Sequence, residues 1–241
     1  MDAPHPDVPP PEPAPGRAQD EALIAAAFAQ IAERGWMRLS VPHAARTAGV
    51  QLDVARQRLS GRSALLMRFG ELADAHALRD AATEGVARDR LFDLMMRRID
   101  FFQGHRAGVI ALLHALPGDP LTAAMLGAAS LRSMRWLLEG AGVEAGGPRG
   151  ALNAAGLLAV WCWTLRAWER DTSDDLSATM AALDTALARA EQAAGWLAAR
   201  GGVASSAHSP GEAAAAPADD LPPPADDIPV PPQQQGPEHA D

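Results

Sequence analysis

Apolar residues recur at every third or fourth position through most of residues 20–199. Nowhere do apolar and polar positions alternate with the period of two that a half-buried strand requires. Leu23, Ile24, Ala27, Phe28 and Ile31 form the first stripe, expected on a helix that begins at Asp20 and is ended by Gly35. Ser60-Gly61-Arg62-Ser63 opens a long helix with Leu65, Leu66, Phe69, Leu72, Ala73 and His76 on its inner side. Leu91, Phe92, Met95, Ile99 and Phe102 mark another helix over 88–103. Two more follow over 105–116 and 121–140, separated by the helix-breaking Pro117-Gly118-Asp119-Pro120. Residues 151–170 are apolar on most sides, which predicts neighbours on more than one flank. After the acidic run 171–175, Leu176, Met180, Leu183, Leu187, Ala190, Ala194 and Leu197 alternate spacings of four and three. That stripe suits packing on another helix, in the same chain or a second one. The pattern predicts an all-α protein of about nine helices.

Two shorter helices fill the gap between the first stripe and Ser60. Ser40 is placed to cap the first of them, because its hydroxyl can accept from a free first-turn N–H. Pro42 is tolerated one step inside, where its missing donor has no partner. Ala45 stands four residues before Gly49: a small side chain permits a close helix crossing, and glycine takes the left-handed turn closed to larger residues. Residues 39–59 therefore predict a helix-turn-helix.

Charge sharpens this picture. The net charge is −9, but residues 1–20 hold four acids and one arginine, and residues 201–241 hold seven acids and no base. The span 34–68 holds Arg34, Arg38, Arg46, Arg56, Arg58, Arg62 and Arg68 against Asp53 alone, so positive charge is concentrated on the helix-turn-helix, where phosphate neutralisation needs it. Both ends lack apolar periodicity, and neither buries enough apolar surface to offset the entropy of ordering. The expected organisation is a disordered tail over 1–18, a helix-turn-helix domain over 19–68, a helical body over 69–199 and a disordered acidic tail over 200–241. A lone Cys162 provides no disulfide framework and fits a reducing, cytoplasmic compartment. The apolar run 154–165 is too short to span a bilayer, and the Pro-rich start has no signal-peptide pattern.

The residues 30–36 (QIAERGW), Ser40-Val41, 45–50 (ARTAGV) and 60–66 (SGRSALL) resemble the TetR family of transcriptional repressors. That resemblance covers roughly residues 20–68. It implies a three-helix DNA-binding head on a helical body that binds a small apolar ligand and dimerises through its last two helices, with double-stranded DNA as partner. Arg56 and Gln57 would then read base edges, since arginine pairs bidentately with guanine and glutamine with adenine. Arg38, Ser40, Arg46, Gln51 and Arg62 complete the implied DNA-binding set. The sequence departs from the family where an aromatic usually stands in the recognition helix, and where Ser or Thr usually caps it, here Gln51. A second resemblance lies in 159–175 (AVWCWTLRAWERDTSDD) and the following SATMAALDTAL. These are similar to the lipid-binding accessory proteins of ubiquinone biosynthesis, which share the architecture without binding DNA.

Within the body, Phe69, Phe102, His105, His114, Met125, Met134 and Trp161 are the candidate pocket lining, with Phe101, Trp136 and Trp168 beside them, because Met and aromatic side chains adapt to irregular apolar ligands. His105 and His114 have no Asp or Cys partners at metal-ligand spacing, so no metal or other cofactor is expected. The chain carries no phosphate-binding glycine loop, nucleophile elbow or His-Glu helix motif, and the reading is of a non-enzyme.

Overall fold

Nine α-helices make up the chain between Pro15 and Ser206, in a computed structural model that describes residues 15–206 and side-chain surroundings within 16–196. They are α1 (Pro15–Arg34), α2 (Val41–Thr47), α3 (Leu52–Arg58), α4 (Arg62–Leu78), α5 (Ala87–Gln103), α6 (Arg106–Ala115), α7 (Pro120–Gly140), α8 (Gly147–Arg170) and α9 (Ser177–Ser206). One turn of 3-10 helix, Trp36–Arg38, joins α1 to α2, and another, Leu116–Gly118, joins α6 to α7. Among the described residues there is no strand.

The first helix starts earlier than its apolar stripe does. α1 begins at Pro15 and takes in residues 15–18, which the polar composition assigns to the tail; likewise α9 runs to Ser206, into the stretch expected to be disordered. The rest of both expected tails lies outside the described residues. Asp20 is consequently not a helix start. It sits one turn inside α1, only 2 % exposed, and accepts from Arg58 of α3 at 3.0 Å and Arg68 of α4 at 2.8 Å. One buried carboxylate thus ties α1 to both α3 and α4, and it takes up two of the seven arginines of residues 34–68.

Head and body share one apolar core. α1 packs on α2 and α6, α4 on α5 and α7, and α7 on α8. Aromatic rings run through this core: Phe28 of α1 lies 4.2 Å from Phe69 of α4, Phe69 lies 4.9 Å from Phe102 of α5, and Phe102 meets Trp161 of α8 edge-on at 5.2 Å. The α1–α6 crossing is close because residue 108 is glycine. A Cβ there would lie 2.3 Å from the Phe28 carbonyl oxygen. α4 crosses residues 68 and 69 without a break, so the head continues into the body through a rigid rod.

Between α8 and α9 the chain turns about Asp171. Its carboxylate accepts from the Ser173 and Thr179 hydroxyls at 2.5 and 2.8 Å and from their backbone N–H groups at 3.1 and 2.8 Å. The Ser173 and then the Thr179 side chains hold this carboxyl far below the usual carboxylate range. A carboxyl depressed in the folded state adds stability above its unfolded pKa of about 3.9, and that stability is lost as pH falls through the folded value. Asp171→Asn is therefore expected to be less stable than the parent at pH 6, with the gap closing below about pH 4. Urea midpoints measured from pH 7 to pH 3 check this; a gap independent of pH would contradict it.

Candidate nucleic-acid interface and ligand cavity

The helix-turn-helix is built by short-range chemistry. The Ser40 hydroxyl accepts from the His43 N–H at 3.4 Å, Pro42 occupies the first turn of α2, and Ala44 and Ala45 are buried against the head. Gly49 takes φ +68°, and this lets the Val50 N–H return to the Ala45 carbonyl at 2.9 Å and close α2. α3 then starts behind Gln51, whose side chain makes no cap hydrogen bond. Its two turns bury Ala55 and Leu59 and half-bury Val54, which leaves Gln51, Leu52, Asp53, Arg56 and Gln57 exposed.

Around that face the arginines divide by partner. Arg58 and Arg68 are held by Asp20. Among the described residues no carboxylate forms an ion pair with Arg38, Arg46, Arg56 or Arg62. Arg56 is nevertheless folded back along its own helix, donating to the Ser60 carbonyl at 2.6 Å. Arg62 donates to the Met37 carbonyl at 3.2 Å and lies 5.5 Å over the Trp36 ring. The Trp36 indole in turn donates to Asp119 at 3.1 Å, and Asp119 caps α7 by accepting from Thr122 N–H and hydroxyl at 3.1 and 2.7 Å. The Thr122 hydroxyl and then the Trp36 indole hold the Asp119 carboxyl below the usual range. A continuous set of contacts therefore runs from the start of α4 through Trp36 to the start of α7.

In the body, helices α4 to α8 line a partly open cavity of about 440 Å³. Leu66, Phe69, Phe102, Leu112, Leu126 and Trp161 supply apolar wall, and Asp74, Arg98 and Ser133 form a polar end. Arg98 is only 3 % exposed. Its Nη1 donates to Asp74, whose other oxygen accepts from the Ser133 hydroxyl at 2.5 Å, and its guanidinium lies 4.9 Å over the Trp161 ring. Burial pushes this guanidinium down to about 10, still protonated at neutral pH. Its Nε–H has no hydrogen-bond partner.

The described fold is similar to the crystal structure of a TetR transcriptional regulator from Nitrosomonas europaea ATCC 19718. The TM-score is 0.59, with 20% identity over 72% of this chain and 98% of that one. A tetR-family transcriptional regulator from Streptomyces coelicolor gives 0.51, with 19% identity over 76% of this chain and 88% of that one. The chain has the TetR fold. No protein-family model and no curated protein matches it in sequence.

Within this TetR fold, the seven residues of the implied DNA-binding set all fall on the head. Arg38, Arg46, Gln51, Arg56, Gln57 and Arg62 are exposed, and Ser40 is half-buried in its capping role. Of the expected pocket residues, Phe69, Phe102 and Trp161 line the cavity. Four others do not, and each has a physical reason. The His105 ring is packed among Phe28, Phe69 and Phe101 at 5.5–5.7 Å, where burial lowers its pKa. His114 is turned outward, 65% exposed, with Nε2 at 2.5 Å from Glu169. Met134 is fully enclosed in the core, and Met125 packs on that core outside the lining. Trp168 is also core, donating to Gln103 at 2.8 Å, while Trp136 stands at the cavity rim.

Sequence reasoning missed Asp20, Trp36, Asp119 and the Asp74–Arg98–Ser133 group. For Arg98 a signal existed: it lies three residues after Met95 and four before Phe102, on the apolar stripe of α5 rather than its polar side. Asp119 had one too, since Asp before Pro120 with Thr122 three residues on is a helix start as much as a break. Among the described residues no group of His, Cys, Asp and Glu is arranged to hold a metal. No single described helix is long and apolar enough to cross a membrane.

Proposed function

We propose that the chain is a DNA-binding transcriptional regulator of TetR type, a repressor acting as a homodimer in the cytoplasm, whose hold on DNA is changed by a small apolar ligand in the body. The observation that carries this reading is the division of the head arginines: Arg58 and Arg68 are ion-paired to Asp20, and Arg68 to Glu71 as well, whereas Arg38, Arg46, Arg56 and Arg62 around α3 have no carboxylate ion pair among the described residues. Cations without a carboxylate partner beside an exposed helix are what phosphate binding requires. Gln57 and Arg56 are the base readers, with Arg56 exchanging the Ser60 carbonyl for a base edge on binding.

A second copy is required because one head covers one half-site, and two must stand about one helical turn, 34–36 Å, apart. α8 supports a dimer through the last two helices: Leu152, Ala155, Ala159 and Trp163 are exposed at spacings of three and four along one side. The route from ligand to head is equally physical. α6 lines the cavity with Val109 and Leu112 and packs on α1 at Gly108, so a ligand that displaces α6 displaces the head with it.

Anisotropy titrations with the DNA upstream of the gene and with a scrambled duplex, at several salt concentrations, test the reading. Selective, salt-sensitive binding is expected. Arg46→Ala is expected to weaken binding evenly on both duplexes and reduce the salt slope by about 1, whereas Arg56→Ala erases discrimination worth about 1–3 kcal/mol. Equal binding of both duplexes by the parent protein rules the regulator out. That result favours the second reading, a TetR-fold lipid-binding accessory protein of ubiquinone synthesis, which the apolar cavity and the outward Asp53 of α3 support. Mass spectrometry of a co-purified isoprenoid is its own test.

A further inference from the structure

Leu52 is an unexpected side chain at the start of α3. Ala55 and Leu59, which face the core of the head, are each 2 % exposed, whereas Leu52 is 45 % exposed. Burial accounts for only part of that side chain. A single exposed leucine is ordinary on a general protein surface. This one stands in the first turn of the second helix of a helix-turn-helix, the part that such motifs set against base edges in the major groove.

Its neighbours decide which part of a duplex this turn can face. Arg56 lies four residues on, on the same side of the helix, and Asp53 and Gln57 form the next such pair. All four residues are exposed. Asp53 enters no ion pair among the described residues, so a phosphate beside it would meet an unpaired like charge. Leucine offers a phosphate nothing. The cations suited to the backbone lie elsewhere: Arg38 and Arg46 precede α3, and Arg62 opens α4. The first turn of α3 is left to the bases.

Among the groups that distinguish base pairs in the major groove, one is apolar, the C5-methyl of thymine; the others are hydrogen-bond donors and acceptors. A leucine side chain neither donates nor accepts. Set against a polar base edge, it would displace water without replacing the hydrogen bond. Thymine is the base whose edge it matches.

We infer that Leu52 determines specificity by selecting thymine in each half-site, packing its methyl groups on the thymine C5-methyl. The inference rests on the regulator reading, and it adds an apolar contact to the polar readers Arg56 and Gln57. The contact joins side chain to base and draws on no helix N–H.

Anisotropy titrations of the full chain test it, on the DNA upstream of the gene prepared once with thymine and once with uracil throughout. Uracil lacks the C5-methyl and leaves base pairing intact. Parent and Leu52→Ala are titrated on both duplexes. A general effect of uracil on the duplex, or a thymine contact made elsewhere in the head, is common to the two proteins. The uracil-to-thymine ratio of Kd is expected to be larger in the parent than in Leu52→Ala by about fourfold for each half-site engaged, the worth of burying one methyl group. Equal ratios in the two proteins overturn the inference, as does a parent that binds both duplexes equally well.

Leu52→Ala is expected to fold as the parent does, because residue 52 is exposed and alanine is the better helix former; thermal melts check this. The comparison of the two duplexes by the parent alone needs no variant. Failure here is separable from failure of the regulator reading. Selective binding of the upstream DNA with equal uracil-to-thymine ratios removes the Leu52 assignment alone. Equal binding of upstream and scrambled duplexes removes the regulator reading and this assignment with it.

Discussion

Asp74→Ala is expected to lower the stability of the folded chain by about 3–5 kcal/mol, the cost of leaving one member of a buried ion pair alone. Arg98 is 3 % exposed and has Asp74 as its carboxylate partner. Although burial pushes the guanidinium down to about 10, it remains protonated at neutral pH, so the substitution strands a charge rather than a neutral base. The aromatic faces of Trp161 and Phe102, at 4.9 and 5.8 Å, offset only part of that. Restoring apolarity on both sides, as in the double variant Asp74→Ala with Arg98→Met, is expected to recover most of the loss, because no ion is then buried. Urea unfolding of the parent, the two single variants and the double variant closes the cycle. A loss under about 1 kcal/mol for Asp74→Ala would mean that water, not the carboxylate, compensates Arg98.

Gly108→Val is the second large effect. A Cβ at this position stands 2.3 Å from the Phe28 carbonyl oxygen and 2.9 Å from its carbonyl carbon, and both are backbone atoms of a packed helix that cannot rotate away. α1 and α6 must separate, at an expected cost of about 1–3 kcal/mol or more. Gly195→Ala in α9, where a Cβ meets nothing within 4 Å, serves as the control and is expected to gain about 0.5–1 kcal/mol from helix propensity. Thermal melts of both variants check the contrast. The same seam is the mechanical link between cavity and head, so a Gly108→Val protein that still folds is expected to bind upstream DNA with a changed ligand response. Equal melting temperatures for the Gly108 and Gly195 variants would show that the crossing is looser than its geometry.

The helix-turn-helix and the cavity sit at opposite levels of legibility. The helix-turn-helix could be read directly because its determinants are close in sequence: Ser40 caps three residues on at His43, and Gly49 returns Val50 to Ala45. The outward set Gln51, Asp53, Arg56 and Gln57 followed from the 3.6-residue period alone, since each turn of α3 has one inner side. Helix count and type followed for the same reason. The pocket was read far less well. Met125 and Met134 have the right chemistry, yet whether a Met faces a cavity or a filled core depends on which helix lies opposite. His114 and His105 lie nine residues apart on one short segment, and one ends up in solvent while the other is walled in by Phe28 and Phe69 from other helices.

Sequence alone determined the all-helical class, the turn at Gly49 and the placement of basic charge over α2 and α3, because these depend on neighbours within about one or two helical turns. Only the tertiary structure decided which charges are free. Asp20 meets Arg58 and Arg68 across separations of 38 and 48 residues, and Arg98 meets Asp74 across 24. No periodicity encodes such pairings, since they arise when burial of the apolar stripes brings polar groups from different helices to one point, where each must find a partner or remain unsatisfied.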